Sequence, residues 1–277
     1  MKYKILMLTL IKHAYIIKPD LDKCNKMADW TRDELIVAFN LYCKTPFAKI
    51  GHNNKDIIAL AAKIGRTPSA VALKLSNFAR LDPELQKRHI AGMTHGSKAD
   101  VEIWNEFYNN GEELGYQSEV ILAKLKHESL EKSAGISVED LPKEGKEREA
   151  LVKIRVNQAL FRKIILASYD NRCCITGFSM PDLLVASHII PWSIDKKNRM
   201  NPNNGLCFNL FHDKAFDIGL ISISPEYTIL ISSAIKNSNT YNKSWFLPYE
   251  GKKILLPQRF LPSQEFLKYH YEVVFHH

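Results

Sequence analysis

The chain has 277 residues, of which 45% are hydrophobic and 25% are charged, and its net charge is +8. These values are typical of a folded globular protein, and they exclude a collagen-like or wholly disordered chain. No run approaches the roughly 20 apolar residues that would cross a bilayer, so we expect no membrane partner. The five cysteines are few and odd in number. They argue against a disulfide scaffold and favour a cytoplasmic location.

The charge is distributed in blocks along the chain. Residues 1–100 carry 17 basic and 9 acidic side chains, residues 101–150 carry 6 and 12, and residues 151–277 carry 15 and 9. Two basic modules that face nucleic acid, joined by an acidic connector, would give this pattern. Two ordinary domains with an exposed helical linker would give it as well.

The N-terminal residues 1–28 do not read as part of a folded domain. A short apolar run over residues 5–11 follows two lysines and resembles the start of a secretory signal, but no small-residue cleavage site follows it. Met27 then precedes a sequence that leads into a helix. We therefore expect residues 1–28 to be an extension or a disordered tail.

The rest of the chain divides into three predicted segments. Apolar residues at helical spacing predict a helical module over residues 29–115. Glu and Lys dominate residues 116–150, which predicts an acidic connector with an exposed helix and a loop. A helix starting near Arg155 then opens the third segment, residues 151–277.

The helical module contains a possible DNA-binding motif. One helix ends at Gly65, and Thr67 caps the next helix after a tight turn, which is typical of a helix-turn-helix. On the second of these helices, Lys74, Asn77 and Arg80 are predicted to face outward and to contact DNA. The alternative is a generic three-helix bundle that docks on the following domain.

Residues 169–232 carry the pattern that points to chemistry. His188 lies near the end of an apolar strand, Asn204 follows 16 residues later, and His212 follows after 8 more, on a predicted helix. Phosphodiester hydrolysis needs a base for water, a cation for the developing charge and a rigid frame. A neutral histidine suits the base, and an amide can hold the loop that positions it.

The segments around these residues resemble the HNH endonuclease motif. They are ASHIIPW at 186–192, NPNNGL at 201–206 and HDKAFDIGL at 212–220, preceded by CCITG at 173–177. The resemblance covers residues 165–275 and is greatest to the restriction-endonuclease branch. It implies an α+β protein, with the helical N-terminal module followed by a ββα-metal nuclease domain. It also implies one divalent cation, Mg²⁺ or Mn²⁺, and cleavage of double-stranded DNA.

The resemblance also assigns roles to residues. His188 matches the general base, Asn204 the central asparagine that braces the loop, and His212 the metal-binding histidine. Family members often carry two Cys-x-x-Cys knuckles, which this chain lacks. We therefore expect no structural zinc.

One position departs from the family pattern. Ser187 stands before the base, where an acidic residue or a histidine is usual, and a neutral hydroxyl is a poor substitute for a carboxylate. A carboxylate on the following helix can supply the missing charge. We expect His212 and Asp217 to hold the metal, with Asp213 as the other carboxylate that could do so.

The sequence thus predicts a metal-dependent DNA endonuclease, with a restriction enzyme as the first interpretation. Arg172 and Arg199, together with Lys196 and Lys197, either contact phosphate or only improve solubility. The alternatives are a DNA-binding regulator with a degenerate nuclease fold, and a homing or toxin nuclease. Cleavage of both strands by a fold with one site favours a homodimer.

Overall fold

Eight α-helices precede the first strand in the part of the chain that the computed structural model describes, which is residues 29–89, 96–139 and 141–277. The prediction for residues 1–28 lies outside these ranges. The helices are α1 (Arg32–Lys44), α2 (Lys55–Ile64), α3 (Pro68–Ala79), α4 (Pro83–Lys87), α5 (Lys98–Phe107), α6 (Gly111–Lys126), α7 (Leu130–Ala134) and α8 (Lys146–Ser168). No helix within the described ranges is long and apolar enough to cross a membrane.

Local capping signals fix the ends of α2 and α3. The Asn54 side chain accepts hydrogen bonds from the first backbone amides of α2, and Gly65 ends this helix with a left-handed φ of 66°. The Thr67 side chain then accepts from Ala70 at the start of α3, whose first residue is Pro68. The predicted turn between the two helices is therefore confirmed.

The predicted outward basic face of α3 is wrong. The Lys74 side chain is only 8% exposed, and its Nζ lies 2.7 Å from the buried Asp100 carboxylate. Asn77 donates to the other oxygen of Asp100 at 3.4 Å, and Arg80 is half-buried. Asp100 also forms a capping box with Ser97 at the start of α5. The Lys74 charge thus compensates a buried carboxylate and is not available to DNA in this arrangement.

The connector is more helical than the sequence predicts. Helix α8 begins at Lys146, not near Arg155, and so it crosses the predicted domain boundary at residues 150 and 151. The Arg148 guanidinium lies 2.7 Å from Glu131 of α7 and ties the first turn of α8 to the preceding helix. Charged residues with good helix propensity extend α8 without an apolar stripe that the sequence could reveal.

The second half of the chain contains the strands. β1 (Leu184–His188) pairs antiparallel with β2 (Gly205–Asn209), so that His188 lies opposite Gly205. Helix α9 (Leu210–Asp217) follows directly, and β3 (Ile221–Ile223) and β4 (Ile229–Ile231) form a hairpin. Helices α10 (Ser233–Lys236), α11 (Thr240–Phe246) and α12 (Gln264–Tyr269) follow, and a π-helical turn (His270–Val274) comes directly after α12. The α+β prediction, with helices before a ββα unit, is confirmed.

A buried ionic network joins the helical region to the C-terminal segment. Arg259 is buried, and its Nε lies 3.0 Å from Asp82. The Tyr42 hydroxyl donates to the same carboxylate at 2.7 Å, and the Arg259 guanidinium lies 4.1 Å from the centre of the Tyr42 ring. Residues 32–277 accordingly form one compact unit.

We predict that Asp82→Asn lowers the free energy of unfolding by about 3 kcal/mol, because it leaves the Arg259 charge buried and uncompensated. Urea denaturation measures the loss. Glu102→Gln is the matched control, since the Lys98–Glu102 pair is exposed at both ends and should contribute less than about 1 kcal/mol. Equal losses in both variants would contradict a special role for the buried pair.

Candidate active site

The His188 ring is held by aromatic neighbours at the end of β1. It stacks on Phe161 of α8, with ring centres 4.0 Å apart, and meets the edge of Trp192 at 5.3 Å. Its Nε2 lies 2.9 Å from the Arg199 carbonyl oxygen. A carbonyl oxygen only accepts, so Nε2 carries the hydrogen and Nδ1 keeps its lone pair. Burial is the main factor that lowers the pKa of His188, which favours this neutral form.

Helix α8 approaches β2 closely at Gly205. A Cβ atom at this position would lie 2.8 Å from Ile165 Cγ1 and 2.9 Å from Phe161 Cζ, which is too close for real contacts. The backbone of Gly205 is extended, with φ of −129°. A glycine is therefore required here because there is no room for a side chain, and not because of a turn conformation. Its absence of a side chain lets Phe161 reach the His188 ring.

Asn204 connects the two strands of the site. Its side chain is buried, and its Oδ1 accepts from the Ile190 amide at 2.8 Å. Its Nδ2 donates to the Ile190 carbonyl at 3.1 Å, while its own carbonyl accepts from the Ile189 amide at 3.0 Å. These bonds hold the chain just after His188 against the start of β2.

An oxygen-rich group forms where β1 meets α9. Asp213 and Asp217 are four residues apart, so they share one face of α9. Partial burial raises the pKa of both carboxyl groups, and the Asp213 charge raises that of Asp217 further. The buried Ser187 hydroxyl lies close enough to favour the charged form of Asp213, although it makes no hydrogen bond of full geometry in the described part of the chain.

His212 points to a different environment. Its Nδ1 donates to Asn209 Oδ1 at 2.9 Å, and its Nε2 is buried without a hydrogen-bond partner among the described residues. The rings of Phe246 and Tyr249 meet it edge-on, and burial lowers the pKa of His212 to about 4. His212 and Asp217 are five residues apart, or about 140° around the helix. The side chains of His212 and Asp217, the expected metal pair, therefore leave the helix in different directions.

The basic side chains expected at the site lie in two places. Arg199 belongs to the loop between β1 and β2, where its Nε donates to the Trp192 carbonyl at 2.8 Å and its guanidinium stacks on the Trp192 ring. Lys196 and Lys197 of the same loop are exposed. Arg172 is exposed elsewhere, near Asp170 at 3.3 Å. The structure thus brings Arg199 to His188. The contact that it shows for Arg172 is with Asp170, not with His188 or Arg199.

Two residues of the site were missed in the sequence. Asn209 caps α9 by accepting from the His212 amide at 2.9 Å, and an asparagine just before an apolar helical pattern is a signal that could have shown this. Phe161 supports the His188 ring from 27 positions away in the chain. Sequence spacing carries no signal for such a long-range contact.

We predict that Gly205→Ala lowers the free energy of unfolding by about 1–3 kcal/mol, because the added methyl group overpacks the contact with Phe161 and Ile165. Chemical denaturation measures this loss, and the His188 ring proton shifts in NMR spectra should move with the displaced Phe161 ring. Gly51→Ala is the control, since a Cβ there meets open space. An unchanged His188 signal in Gly205→Ala would contradict the proposed support.

Comparison with known proteins identifies the part of the chain that contains these residues. Residues 173–224 match the family model described as HNH endonuclease. The matched segment contains β1, β2, α9 and β3, and therefore His188, Asn204 and Asp213, whereas Phe161 of α8 lies outside it. No curated protein matches the chain significantly. Residues 173–224 thus form an HNH endonuclease domain, which is a phosphodiester hydrolase domain that acts on nucleic acid.

Proposed function

We propose that this protein is a metal-dependent endonuclease that cuts double-stranded DNA, and that it serves as a restriction enzyme against foreign DNA in the cytoplasm. The arrangement of His188 is the observation that carries the proposal. The Arg199 carbonyl fixes its tautomer, and Phe161 fixes its ring plane. A neutral imidazole held in this way has a lone pair on Nδ1 that can take a proton from water.

The carboxylates of α9 next to Ser187 fit a hard divalent cation. Asp213 and Asp217 offer carboxylate oxygens from one helical face, and the Ser187 hydroxyl adjoins Asp213. Magnesium is usually bound by one or two carboxylates, with water and substrate phosphate as its other ligands. When bound, such a cation would stabilise the charge that develops on the phosphate. We therefore assign the cation to Asp213 and Asp217, and not to His212 with Asp217.

The protein's own residues then divide the remaining tasks. His188 accepts the proton of the attacking water, and Asn204 keeps the backbone after His188 in place through its three amide contacts. Arg199 orients the base through its carbonyl oxygen. The exposed Lys196 and Lys197 of the same loop are placed to contact phosphates, as is Arg172 at the surface. Cutting both strands with one site per chain would require a homodimer.

We predict that His188→Ala slows DNA cleavage by about 10²–10⁴-fold, because a general base contributes about this much. DNA binding should stay near the wild-type level, since the base is not needed for phosphate contact. Plasmid cleavage with Mg²⁺ and a filter-binding assay measure the two properties. His52→Ala, which changes an exposed histidine, is the control and should retain full activity. A His188→Ala rate above half of the wild-type rate would exclude His188 as the base.

We predict that Asp213→Asn and Asp217→Asn each raise the Mg²⁺ concentration for half-maximal cleavage, by about tenfold. The reason is that each variant removes one of two carboxylate ligands. Titration of the cleavage rate against Mg²⁺ and Mn²⁺ measures this change. Asp182→Asn, at an exposed position of the same domain, is the control.

His212→Gln separates this assignment from the one that the family resemblance implies. With the cation on the two carboxylates, His212→Gln leaves the Mg²⁺ requirement at the wild-type value. A rise in His212→Gln together with no change in Asp213→Asn would instead place the cation on His212.

A DNA-binding regulator without nuclease activity is the second candidate. Ser187 favours the regulator, because a serine stands where the family usually has an acidic residue or a histidine as a metal ligand. The described residues accordingly include no group of three or more His, Cys, Asp or Glu side chains that could hold a metal ion. Plasmid incubated with the protein in Mg²⁺ and in EDTA decides between the two functions. Cleavage only in Mg²⁺ supports the enzyme, and binding without cleavage supports the regulator. A methyltransferase gene beside this one would support restriction over a homing role.

A further inference from the structure

An aromatic cleft lies beside the N-terminal end of α9, apart from the carboxylates. It encloses about 760 Å³. Its walls include the apolar side chains of Phe178, Leu210, Phe211, Trp245 and Tyr249. Large apolar side chains at this density are unusual on a surface, and here Trp245 is 61% exposed and Phe211 is 49% exposed.

One polar atom of a residue that lines this cleft lacks a partner in the described structure. His212 lines the cleft and is 4% exposed. Its Nδ1 donates to Asn209, so its Nε2 is a pure acceptor. This Nε2 is buried and has no hydrogen-bond partner in the ranges that the structure describes. A buried polar atom without a partner destabilises a protein, so a ligand with an N–H donor would satisfy it.

We infer that the cleft binds one unstacked base of the DNA substrate, which stacks on the aromatic side chains and donates an N–H to His212 Nε2. Every DNA base has a flat aromatic face and at least one N–H donor on its edge. Base stacking on aromatic side chains is a common and sequence-tolerant way to hold an unpaired nucleotide. This inference rests on the proposed function, because it takes DNA as the substrate.

The charges around the cleft favour a base over other ligands. Lys, Arg, Asp and Glu are absent from the residues that line the cleft in the described structure. An anionic or cationic ligand would therefore be desolvated there without compensation. A base is neutral, and its sugar and phosphate can stay outside the cleft. Asp213 follows His212 directly on α9, so one helix places the cleft near the proposed metal site.

The consequence is a preference for DNA that offers an unpaired base. A paired base must first leave its stack, which costs a few kcal/mol, whereas a bulged base does not. The test compares a perfect duplex with the same duplex containing one bulged 2-aminopurine. Affinities are measured by fluorescence anisotropy in EDTA, so that no DNA is cut. We expect the bulged duplex to bind about tenfold more tightly.

Variants of exposed aromatic residues test whether the cleft causes the preference for the bulged duplex. Trp245→Ala should remove most of the tenfold preference, and Trp245→Phe should retain part of it, since a smaller ring still stacks. Tyr241→Ala is the matched control, because Tyr241 lies on the same helix, is 83% exposed and does not line the cleft. Loss of preference in Tyr241→Ala equal to that in Trp245→Ala would overturn the inference.

A second comparison tests the hydrogen bond to His212. Unsubstituted purine has the stacking surface of 2-aminopurine but no N–H donor. Wild-type protein should bind a bulged 2-aminopurine more tightly than a bulged purine, and His212→Phe should bind the two equally. Circular dichroism checks that the variant folds. If His212→Phe does not fold, the comparison of the two bases on the wild-type protein still decides.

The outcomes separate this inference from the proposed function. Preference for the bulge without any cleavage in Mg²⁺ supports the cleft and contradicts the nuclease. Cleavage in Mg²⁺ with equal binding of bulged and perfect duplexes supports the nuclease and overturns the cleft. A dimer that forms in sedimentation and dissociates in Trp245→Ala, with no preference for the bulge, would assign the cleft to a second copy of the chain and overturn the inference.

Discussion

The close approach of α8 to the strand pair is the constraint on which the rest of the site depends. Gly205 has no side chain, so Phe161 and Ile165 can pack directly on the β2 backbone. Phe161 then forms the floor under the His188 ring. The imidazole is thereby oriented by a helix outside the residues that match the family model, which end at Cys173 on that side. The orientation of the His188 ring is a property of the larger fold.

The electrostatics of the site follow from partial burial more than from ion pairs. Burial lowers the pKa of both His188 and His212, so both rings are neutral near pH 7. Burial also raises the pKa of the Asp213 and Asp217 carboxyl groups, which lie together on α9, and the Lys214 charge between them offsets only part of this rise. Two such carboxylates repel each other, and a bound cation would relieve this repulsion. The neutral Ser187 limits the total negative charge at this point.

Local signals predicted the parts of the fold that depend on neighbouring residues. The caps at Gly65 and Thr67 place the end of α2 and the start of α3 correctly because each cap bonds within its own turn. The ordered motif with His188 and Asn204 located the strand pair and the helix that follows it. These features need only short-range chemistry, which the sequence displays directly.

Long-range packing set the features that the sequence did not predict. The sequence pattern predicts Lys74 as an exposed cation, but Lys74 is buried because it pairs with Asp100, 26 positions away. The order of residues in the motif predicts His212 as a metal ligand, but it does not show that the His212 ring lines an aromatic cleft with Trp245 and Tyr249. The exposed start of α8 has no apolar stripe, so its sequence looked like a linker. In each case the deciding partner belongs to another element.

The buried Arg259 network has a consequence for how this gene can change. Arg259 belongs to the C-terminal segment, and the carboxylate that compensates it, Asp82, belongs to the helical region. A recombination event that replaced the N-terminal helices with another set would leave a buried guanidinium without its acid. Only donors with an acidic residue at the matching place would yield a folded hybrid. The two halves of the chain are therefore expected to be inherited together and to diverge as one unit.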